Sequence, residues 1–536
     1  SLAANRAWAD AIRAKWKKRA TDPALKIPLV VAGQEFFDNR DQRTCLDASQ
    51  STAAVTVARF ALAGEADIQA AVATAKADPE GWRGLGHRER HRILAGVAAA
   101  LRRSRGDLIG AAAANTGKVF SESDVEVSEA IDFAEYYPYS AGFYYNVPSL
   151  QVSGKGVGLV IAPWNFPIAI PCGGILAALA AGNTVIFKPS SDAVLVAWVL
   201  CRCFWEAGIS QNTLQFVPCS GADVGPKLTG HPDVDFVILT GGTDTGMAIL
   251  KQRPGVLLAA ETGGKNETIV TAMSDRGQAV KNIVYSAFGH CGQKCSATSL
   301  AILEKEVYED ATFKRQLVDA AHSLGVGSAW DFENRMGPLI RPPEGALQKA
   351  LTALEPGESW ALQPENRPDN PSLWTPGIKW DVQPGSSTHL TEFFGPLLGV
   401  MPAQDLKQAI DLAHQTGYGL TAGLESLDKR EQAYFKAHMR AGNLYVNRGT
   451  TGAITLRQPF GGMGKSALGA GIKAGGPRYV SQFMDFAETL PPAIGALQAT
   501  HPLLQLAQEW DNKCAWGQLP EYAQDLKKVV RAIKSC

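Results

Sequence analysis

Two thiols lie four residues apart in the segment HCGQKCSATS, at Cys291 and Cys295. A cysteine acts as a nucleophile when its pKa is lowered or a base lies beside it, and the sequence shows neither feature directly. Most free cysteines are instead small buried hydrophobic residues. His290 is the only adjacent metal ligand, and no second Cys/His pair follows at zinc-site spacing. The segment therefore indicates a reactive thiol or core packing, without a metal.

Polar residues at the ends of four apolar runs indicate one binding edge. These residues are Asn165 in PWNF, Lys188 after VIF, the glycine-rich TGGTDTG at 240–246, and Glu261 after LLAA. Ligands of open α/β sheets bind at the carboxyl ends of parallel strands, which is where these residues fall. Taken singly, Asn165 is typical of a turn, Glu261 of a loop carboxylate or helix cap, and TGGTDTG of a glycine turn, since the fingerprint GxGxxG is absent. Their convergence indicates the site.

Alternating helices and strands must position these residues. We predict strands over 157–162, 184–187, 214–217, 234–239, 255–260, 298–303 and 443–447. We predict helices over 88–103, 168–180, 192–207, 222–229, 276–288, 307–323, 404–414 and 428–440. This alternation is typical of an α/β fold with a doubly wound parallel sheet and helices on both faces. The Pro-rich stretch 363–377 is predicted to be a surface loop.

The stretch between Lys155 and Lys188 carries no charged residue and is long enough to span a bilayer. Pro163, Pro167 and Pro171 interrupt it, and prolines at this spacing break a helix. Parallel strands buried on both faces also read as nearly continuous apolar runs. We therefore predict a buried strand–helix–strand crossover and no membrane span.

The composition excludes several classes of function. The chain has 536 residues, with 52 basic and 52 acidic side chains, so no net positive field favours nucleic acid or an anionic membrane. Nine cysteines without regular spacing do not form a disulfide framework. The basic N-terminus has no apolar secretory segment. These features predict a reducing, cytoplasmic environment.

Motifs in a specific order resemble the aldehyde dehydrogenase superfamily from about residue 35 to 492. They are APWNFP, AGNTVIFKP, HPDVDFVILTGGTDTG, ETGGKN, GQKCSA, MGPLI, EFFGP and QPFGG. Within that superfamily, four stretches are similar to glutamate γ-semialdehyde (Δ1-pyrroline-5-carboxylate) dehydrogenases: GQKCSA, NLYVNRGTTGAI, RQPFGGMGKS and GIKAGGPRYV. They look most like the dehydrogenase half of bifunctional proline-utilisation proteins. The missing initiator Met fits a piece of such a protein, and an independent enzyme is the alternative.

The resemblance implies an aldehyde dehydrogenase-like fold with two Rossmann-like domains and a β-flap that mediates oligomerisation. We expect an NAD-binding domain at 35–140 and 156–261, a catalytic domain at 262–465, and the flap at 141–155 and 478–492. A basic helical arm at 1–34 and a helical tail at 493–536 complete the chain. The tail has one apolar helical face, formed by Tyr522, Leu526, Val529, Val530 and Ile533. A homo-oligomer, dimeric or larger, is implied.

The resemblance also assigns the chemistry. Cys295 is expected to attack the aldehyde carbon and form a thiohemiacetal. The side-chain amide of Asn165 and the backbone N–H of Cys295 are expected to hold the oxyanion, where loss of a donor typically costs about 2.7–4 kcal/mol. Hydride transfer to the nicotinamide leaves a thioester. Glu261 is expected to act as the general base for its hydrolysis.

The expected cofactor is NAD. Lys188 would bind the adenosine ribose hydroxyls and Glu392 the nicotinamide ribose, with Phe394 beside the ring. The other expected contacts are Ile161, Ala162, Pro163, Trp164, Ser190, Ser191, Gly221, Gly225, Thr240, Gly241, Gly242 and Gly246. Many NAD-preferring relatives carry a glutamate where this chain has Ser191. NADP therefore remains an alternative cofactor.

The substrate implied by the resemblance carries an aldehyde and an amino-acid head. Ser296, Gly452 and Ala453 match the positions that bind the α-carboxylate, and Lys294 adds a positive charge beside them. Phe166 and Phe460 would enclose the aliphatic chain.

These expectations define the predicted function, which is NAD-dependent oxidation of L-glutamate γ-semialdehyde to L-glutamate in proline catabolism. A proline dehydrogenase domain or partner is an associated possibility. One alternative is an NAD(P)-dependent dehydrogenase of another aldehyde, such as succinate semialdehyde. Another is a catalytically silent cofactor-binding scaffold. Cys291 has no family role; it either packs in the core or forms a disulfide with Cys295 on oxidation.

Overall fold

A computed structural model describes residues 2–19, 25–49, 55–489, 502–513 and 528–529. The α-helices are α1 Ala3–Arg19, α2 Glu65–Ala77, α3 His87–Arg103, α4 Arg105–Thr116, α5 Phe120–Tyr145, α6 Ala169–Ala180, α7 Val194–Glu206, α8 Gly225–Thr229, α9 Thr243–Gln252, α10 Arg276–Phe288, α11 Lys305–Tyr308, α12 Ala311–His322, α13 Gly345–Thr352, α14 Ser387–Leu390, α15 Leu406–His414, α16 Lys429–His438 and α17 Pro502–Lys513.

The strands are β1 Lys26–Ile27, β2 Leu29–Val31, β3 Gln34–Phe36, β4 Gln42–Asp47, β5 Val55–Ala61, β6 Leu150–Gly154, β7 Val157–Ile161, β8 Thr184–Lys188, β9 Leu214–Phe216, β10 Phe236–Thr240, β11 Leu257–Glu261, β12 Asn266–Val270, β13 Thr298–Glu304, β14 Ser359–Leu362, β15 Asn366–Arg367, β16 Asn370–Trp374, β17 Gly377–Trp380, β18 Leu397–Ala403, β19 Thr421–Glu425, β20 Asn443–Val446, β21 Ala467–Leu468 and β22 Met484–Glu488.

The first large sheet contains eight strands in the order β21-β11-β10-β7-β8-β9-β2-β3. The five central strands, β11 to β9, are parallel, and β21, β2 and β3 are antiparallel additions at the edges. All five predicted strands between residues 157 and 260 are present within one or two residues of their predicted bounds. The predicted doubly wound sheet is therefore confirmed.

The uncharged stretch after Lys155 folds as β7, α6 and β8, as predicted. Every residue of α6 except Ile170 is buried, because its small residues let it pack closely between the sheet and other helices. Gly182 follows the helix with a φ of 89°, a conformation that favours glycine. In the part of the chain that the structure describes, none of the helices has the length and apolar character needed to traverse a bilayer.

The second large sheet contains seven strands in the order β14-β17-β18-β13-β12-β19-β20. All neighbours are parallel except β14 and β17. Alternate residues of its central strands enter two different cores: Ile269 packs with α15, whereas Val270 packs with α10 and α12. Because helices cover both faces of these strands, consecutive residues such as Ile269 and Val270 are both apolar.

The N-terminal helix α1 packs against α4 and buries Ile12 and Trp16. The indole N–H of Trp16 donates to Asp107 over 2.9 Å, and a side chain at Gly110 would collide with the Trp16 ring. The helix ends at Arg19. Residues 26–36 are not part of a helical arm, because β1 pairs with β5 and β2 joins the first large sheet.

Three segments differ from the sequence-based expectation. TGGTDTG is a turn only at Gly241 and Gly242, since α9 begins at Thr243. The predicted helix 307–323 is interrupted, because Asp310 caps the N-terminus of α12 by accepting hydrogen bonds from two backbone N–H groups. The prediction of a surface loop at 363–377 is wrong. That stretch contains the hairpin β15–β16, and its buried Asn370 donates to the carbonyl oxygen of Ala48.

The described residues form two compact units. One comprises the described parts of Ser1–Phe143 and Ser153–Asp485 and contains both large sheets. The other comprises the described parts of Tyr144–Val152 and Phe486–Cys536. Strands β6 and β22, within the predicted flap segments, pair as a two-stranded sheet. Apart from residues 528–529, the predicted apolar face at 521–534 lies outside the described residues.

Candidate active site

The carboxyl ends of the central strands of the first sheet meet at one edge. Ile161 pairs in register with Lys188 on one side and with Leu239 on the other, and Thr240 pairs with Glu261. Segments 162–166 and 189–192 and the start of α9 leave the sheet at this edge. The strand-end residues singled out in the sequence are therefore neighbours in space.

Some of the glycines that were predicted to contact the cofactor lie where a dinucleotide could bind, and one of them has a packing role instead. Gly242 precedes the first residue of α9, so its turn presents helix N–H groups that suit a phosphate. Gly225 lies beside Lys188, because a Cβ added there would be 3.8 Å from Cε of the lysine. Gly246 has a different reason to be glycine: its Cβ would lie 2.6 Å from the Leu468 side chain. Gly246 thus permits helix–strand packing.

Ser191 occupies the position at which the sequence analysis considered the choice between NAD and NADP, and its side chain is a hydroxyl. Ser191 stands between Ser190 and Asp192, and the Asp192 carboxylate accepts two hydrogen bonds from Arg341, of 2.6 and 3.1 Å. The charge of Asp192 is therefore neutralised by a guanidinium. A free carboxylate that would repel a 2′-phosphate is not presented by either residue.

Glu392 is held by the turn that follows β11. The backbone N–H of Gly264 donates to its carboxylate over 2.8 Å, and a side chain at Gly263 would collide with that carboxylate. Burial raises the pKa of Glu392 to about 7, while the Gly264 hydrogen bond and the buried ammonium of Lys265 act in the opposite direction. Its orientation, next to the loop that carries Cys295, fits a role in holding a ribose.

Phe394 and Trp164, both predicted to contact the cofactor, meet edge to face with ring centroids 5.7 Å apart. Phe394 has a φ of 59°, which is uncommon for an aromatic residue. Its backbone conformation turns the chain of EFFGP toward the Cys295 loop. Trp164 of PWNF and Phe394 of EFFGP, which are far apart in the sequence, therefore contact each other at the predicted cofactor site.

The loop carrying Cys295 is held by a side chain of β12 and by one from the segment after β20. The amide of Asn266, at the start of β12, donates to the carbonyl oxygens of Cys295 and Ala297 over 2.6 and 2.9 Å. The hydroxyl of Thr450 donates to the carbonyl oxygen of Ser296 over 2.9 Å. Neither Asn266 nor Thr450 was singled out in the sequence. Together they hold the thiol in one position.

The residues before this loop adopt left-handed backbone conformations. His290, Cys291 and Gly292 have φ values of 51°, 57° and 68°. A side chain at Gly292 would collide with the backbone of Gly395, so the two loops approach closely. Cys291 is fully buried in the core formed by α10, α12 and β18, and both it and Cys295 are free thiols. Its position favours core packing over a redox role.

Cys295 is the reactive candidate because it is partly exposed, whereas Cys291 is buried. Burial raises the pKa of the Cys295 thiol to about 12, and the negative charges of Glu392 and Glu261 add to this increase. Backbone N–H groups of Cys295 and Ser296 act in the opposite direction. The thiol is therefore protonated at neutral pH, and deprotonation requires a base or a positive charge beside it.

Glu261 is a candidate base whose charge acts on Cys295. It is the last residue of β11, and its carboxylate accepts a hydrogen bond of 2.9 Å from the backbone N–H of Gly462. Burial raises the pKa of Glu261 to about 8, with the Gly462 hydrogen bond and Lys473 opposing the increase. A carboxylate with this pKa can accept a proton efficiently near neutral pH.

Asn165 is held by a buried ion pair that the sequence analysis missed. Its side-chain amide donates to the carbonyl oxygen of Gln293, two residues before Cys295, over 2.9 Å. The backbone carbonyl oxygen of Asn165 accepts a hydrogen bond of 2.9 Å from the Lys118 ammonium, and Lys118 forms a 2.7 Å ion pair with Glu126. Glu126 also accepts from the backbone N–H groups of Ile168 and Ala169, at the start of α6. This network fixes the Asn165 segment beside the thiol.

We expect Lys118→Met to lower the free energy of unfolding by about 3 kcal/mol, because it leaves the fully buried Glu126 carboxylate without its cation. The two remaining backbone N–H donors keep the loss from being larger. The measurement is the midpoint of urea unfolding at neutral pH. The matched control is Lys76→Met, which removes an exposed ion pair with Asp233 and should change stability by less than about 1 kcal/mol. Equal losses in the two variants would contradict the structural role of Lys118.

A cavity of about 710 Å³ opens over Cys295. All six residues predicted to bind substrate line it: Phe166, Lys294, Ser296, Gly452, Ala453 and Phe460. The structure thus brings together residues from β-strand ends, the Cys295 loop and the segment after β20. Glu261 does not line this cavity, although its charge acts on Cys295. The two sheets contribute to one site from opposite sides.

Three carboxylates of α5 also line the cavity and were not predicted: Glu122, Glu126 and Glu129. Glu122 forms a 2.7 Å ion pair with Lys294, so this lysine is not simply solvated. Burial, followed by repulsion from Glu126, raises the pKa of Glu129 to about 8. The spacing of four and three residues places all three on one helix face. This helical spacing in the sequence could have identified the three carboxylates as neighbours.

The aldehyde dehydrogenase family model matches residues 37–488. A protein named 1-pyrroline-5-carboxylate dehydrogenase from Geobacillus thermodenitrificans (strain NG80-2) is 34% identical over 497 residues, which cover 88% of this chain and 94% of the relative. The family match includes the parallel strands of the first large sheet, all of the second large sheet and the Cys295 loop.

Two solved structures are similar in fold. A 1-pyrroline-5-carboxylate dehydrogenase from Thermus with bound NAD has a TM-score of 0.84 and 31% identity, covering 91% of this chain and 96% of the other. Proline utilization A from Corynebacterium freiburgense has a TM-score of 0.76 and 42% identity, covering 83% of this chain and 46% of the other. The chain therefore spans about half the length of that protein.

Proposed function

This chain belongs to the aldehyde dehydrogenase family, and we propose that it oxidises L-glutamate γ-semialdehyde to L-glutamate with NAD, a step of proline catabolism. The observation that carries the proposal is the cavity over Cys295. A thiol, two phenyl rings and a set of groups suited to a carboxylate line the same space. The names of the relatives support the substrate, and the Thermus structure with bound NAD supports the cofactor.

In the proposed reaction the Cys295 sulfur attacks the aldehyde carbon and forms a thiohemiacetal. The developing oxyanion is bound by the backbone N–H of Cys295 and by the second N–H of the Asn165 amide, whose first N–H is donated to Gln293. Because Lys118 and Gln293 fix Asn165 from two sides, this donor is oriented before the substrate arrives.

NAD, when bound, supplies the hydride acceptor and a positive charge near the thiol. The residues suited to hold it are the turn before α9, Lys188 at the adenosine ribose and Glu392 at the nicotinamide ribose. Glu261 then activates water by accepting its proton, and the hydroxide releases L-glutamate from the Cys295 thioester. The hydrogen bond from Gly462 engages one carboxylate oxygen of Glu261 and leaves the other for water.

The amino-acid head is proposed to bind to cavity residues of the Cys295 loop and of the segment after β20. The Ser296 hydroxyl and the backbone N–H groups of Gly452 and Ala453 bind the α-carboxylate. Phe166 is positioned for the aliphatic chain by Lys118, whose ammonium lies 3.8 Å from the ring centroid. Phe460 lines the same cavity and is proposed to contact the other side of the aliphatic chain. An analogue without the head group leaves these donors unpaired.

The test is a comparison of NADH formation with Δ1-pyrroline-5-carboxylate and with succinate semialdehyde, each repeated with NADP. We expect kcat/KM to favour the first substrate by at least about tenfold, because the second lacks the amino group and one carbon. The control variant Ser296→Ala should lower kcat/KM for the first substrate and change that for propanal little. Equal activity on succinate semialdehyde would retain the Cys295 chemistry and contradict the substrate.

We also propose the assembly of the chain. The first large sheet would be the NAD-binding domain and the second the catalytic domain, with the β6–β22 sheet pairing subunits of a homo-oligomer. The likeness to proline utilization A supports cooperation with a proline dehydrogenase domain or partner. Size-exclusion chromatography with light scattering, alone and with a proline dehydrogenase, measures both associations.

A further inference from the structure

The rim of the cavity over Cys295 has an uneven charge. Lys281 on α10 and Arg335, before Met336, both line the cavity and are exposed. The other exposed lining residues are uncharged: Ser121, Val125, Gly277, Tyr285 and Gly452. Since exposed lining residues mark where the cavity meets solvent, its entrance carries two positive charges and no negative one.

The acidic residues deeper in the cavity do not cancel this charge. Glu122 and Glu126 each form a 2.7 Å ion pair with a lysine, Lys294 and Lys118 respectively. The pKa of Glu129 is raised to about 8 by burial, so this carboxyl is mostly protonated at neutral pH. Lys281 and Arg335 themselves form no ion pair with any residue of the described ranges.

One part of the cavity wall is apolar. Val280, Val284 and Phe288 of α10 and Ala320 and Leu324 near the end of α12 line the cavity. Field lines from a charge at the mouth of a low-dielectric cleft are concentrated within it, which raises the local concentration of ions of opposite sign. The rim therefore acts on small anions on their way to Cys295.

We propose that Lys281 and Arg335 form a cationic rim that attracts aldehydes of net negative charge into the cavity, raising their kcat/KM over that of uncharged aldehydes. This inference goes beyond the proposed function, because L-glutamate γ-semialdehyde carries an ammonium beside its carboxylate and has no net charge for the rim to attract. The two residues act on entry and do not touch the reacting atoms. Consequently kcat is set elsewhere, and the preference for anions declines as salt screens the rim.

The first experiment measures entry without any aldehyde. Iodoacetate and iodoacetamide both alkylate the Cys295 sulfur with loss of iodide, and they differ in charge. Because the thiolate fraction is the same for both, the ratio of the two alkylation rates reports the electrostatic effect alone. The rates are measured on the Cys295 peptide by mass spectrometry, at low salt and at high salt.

The variant is the double substitution Lys281→Gln and Arg335→Gln. We expect the iodoacetate to iodoacetamide ratio to fall about threefold at low salt, which is the effect that two unit charges exert through water over a distance on the order of 10 Å, and the difference to vanish at high salt. The matched control is Lys349→Gln with Arg315→Gln, which removes two exposed positive charges that do not line the cavity. An unchanged ratio in the rim variant, or an equal fall in the control, would overturn the proposal.

The second experiment uses turnover. In the rim variant kcat/KM for succinate semialdehyde, which is a monoanion, should fall about threefold at low salt, with kcat unchanged and with oxidation of uncharged propanal and of zwitterionic L-glutamate γ-semialdehyde little affected. A charge reversal, Lys281→Glu with Arg335→Glu, should lower the ratio of alkylation rates further. If the wild-type protein oxidises no carboxylate-bearing aldehyde, the proposed function fails, while the alkylation ratio still decides the charge of the rim.

Discussion

Cys295→Ala is expected to lower kcat by at least about 10⁴-fold, because no other described thiol lines the cavity to form the covalent intermediate. The substitution removes only the sulfur, and Asn266 and Thr450 hold the loop through backbone carbonyl oxygens that alanine retains. NAD affinity, measured by isothermal titration calorimetry, should therefore stay within about threefold of the wild-type value. NADH formation gives kcat.

The matched control is Cys291→Ala in the same loop. Cys291 is fully buried in the core, so its replacement removes packing and leaves the reacting groups in place. We expect activity within about tenfold of the wild type and a modest loss of stability. Substantial turnover by Cys295→Ala, or inactivity of the well-folded Cys291→Ala variant alone, would contradict the assignment of Cys295 as the nucleophile.

Glu261→Gln is expected to slow thioester hydrolysis by about 10²–10⁴-fold, the range for loss of a general base. Thioester formation on Cys295 does not need this base for water activation. The variant should therefore release about one NADH per active site rapidly and then proceed slowly. Rapid-quench or stopped-flow measurement of NADH separates the two phases. A uniform slowing of both phases would place Glu261 in an earlier step.

The pH dependence gives a second readout for Glu261. The carboxylate form is the active base, and burial raises its pKa to about 8, so below that pH the protonated, inactive form dominates. The steady-state rate should rise with pH up to about 8 and then level off. In Glu261→Gln this rise should disappear, since glutamine does not titrate. The matched control Glu65→Gln, at an exposed ion pair with Lys227, should retain the wild-type profile.

Much of the architecture was predictable because it depends on local patterns. Continuous apolar runs marked β7, β8 and β10, and an acidic or polar residue at each strand end marked the binding edge. Parallel strands must align their carboxyl ends, so Lys188 and Glu261 had to share one edge of the sheet. The family motifs, in order, added the roles that these patterns alone leave open.

The errors also have physical causes. The stretch 363–377 is rich in proline, which indicates a loop, yet it contains the hairpin β15–β16, and its Asn370 donates a hydrogen bond to Ala48, 322 positions away. A contact over that sequence separation has no trace in local composition. The three glycines of TGGTDTG indicate a turn, but the helix α9 begins at Thr243 inside this motif and continues through the following MAIL.

The sequence by itself determined which candidate reactive groups the chain carries and placed Lys188 and Glu261 at strand ends, since residue type and strand pattern are local properties. Only the tertiary structure decided their state. The pKa of Cys295 depends on burial and on Glu261 and Glu392, residues that lie 34 positions before it and 97 positions after it (295 − 261 and 392 − 295). The anchoring of Asn165 likewise requires the buried pair of Lys118 and Glu126. Electrostatic energy depends on distance and desolvation, and both are set only when separate segments pack around one site.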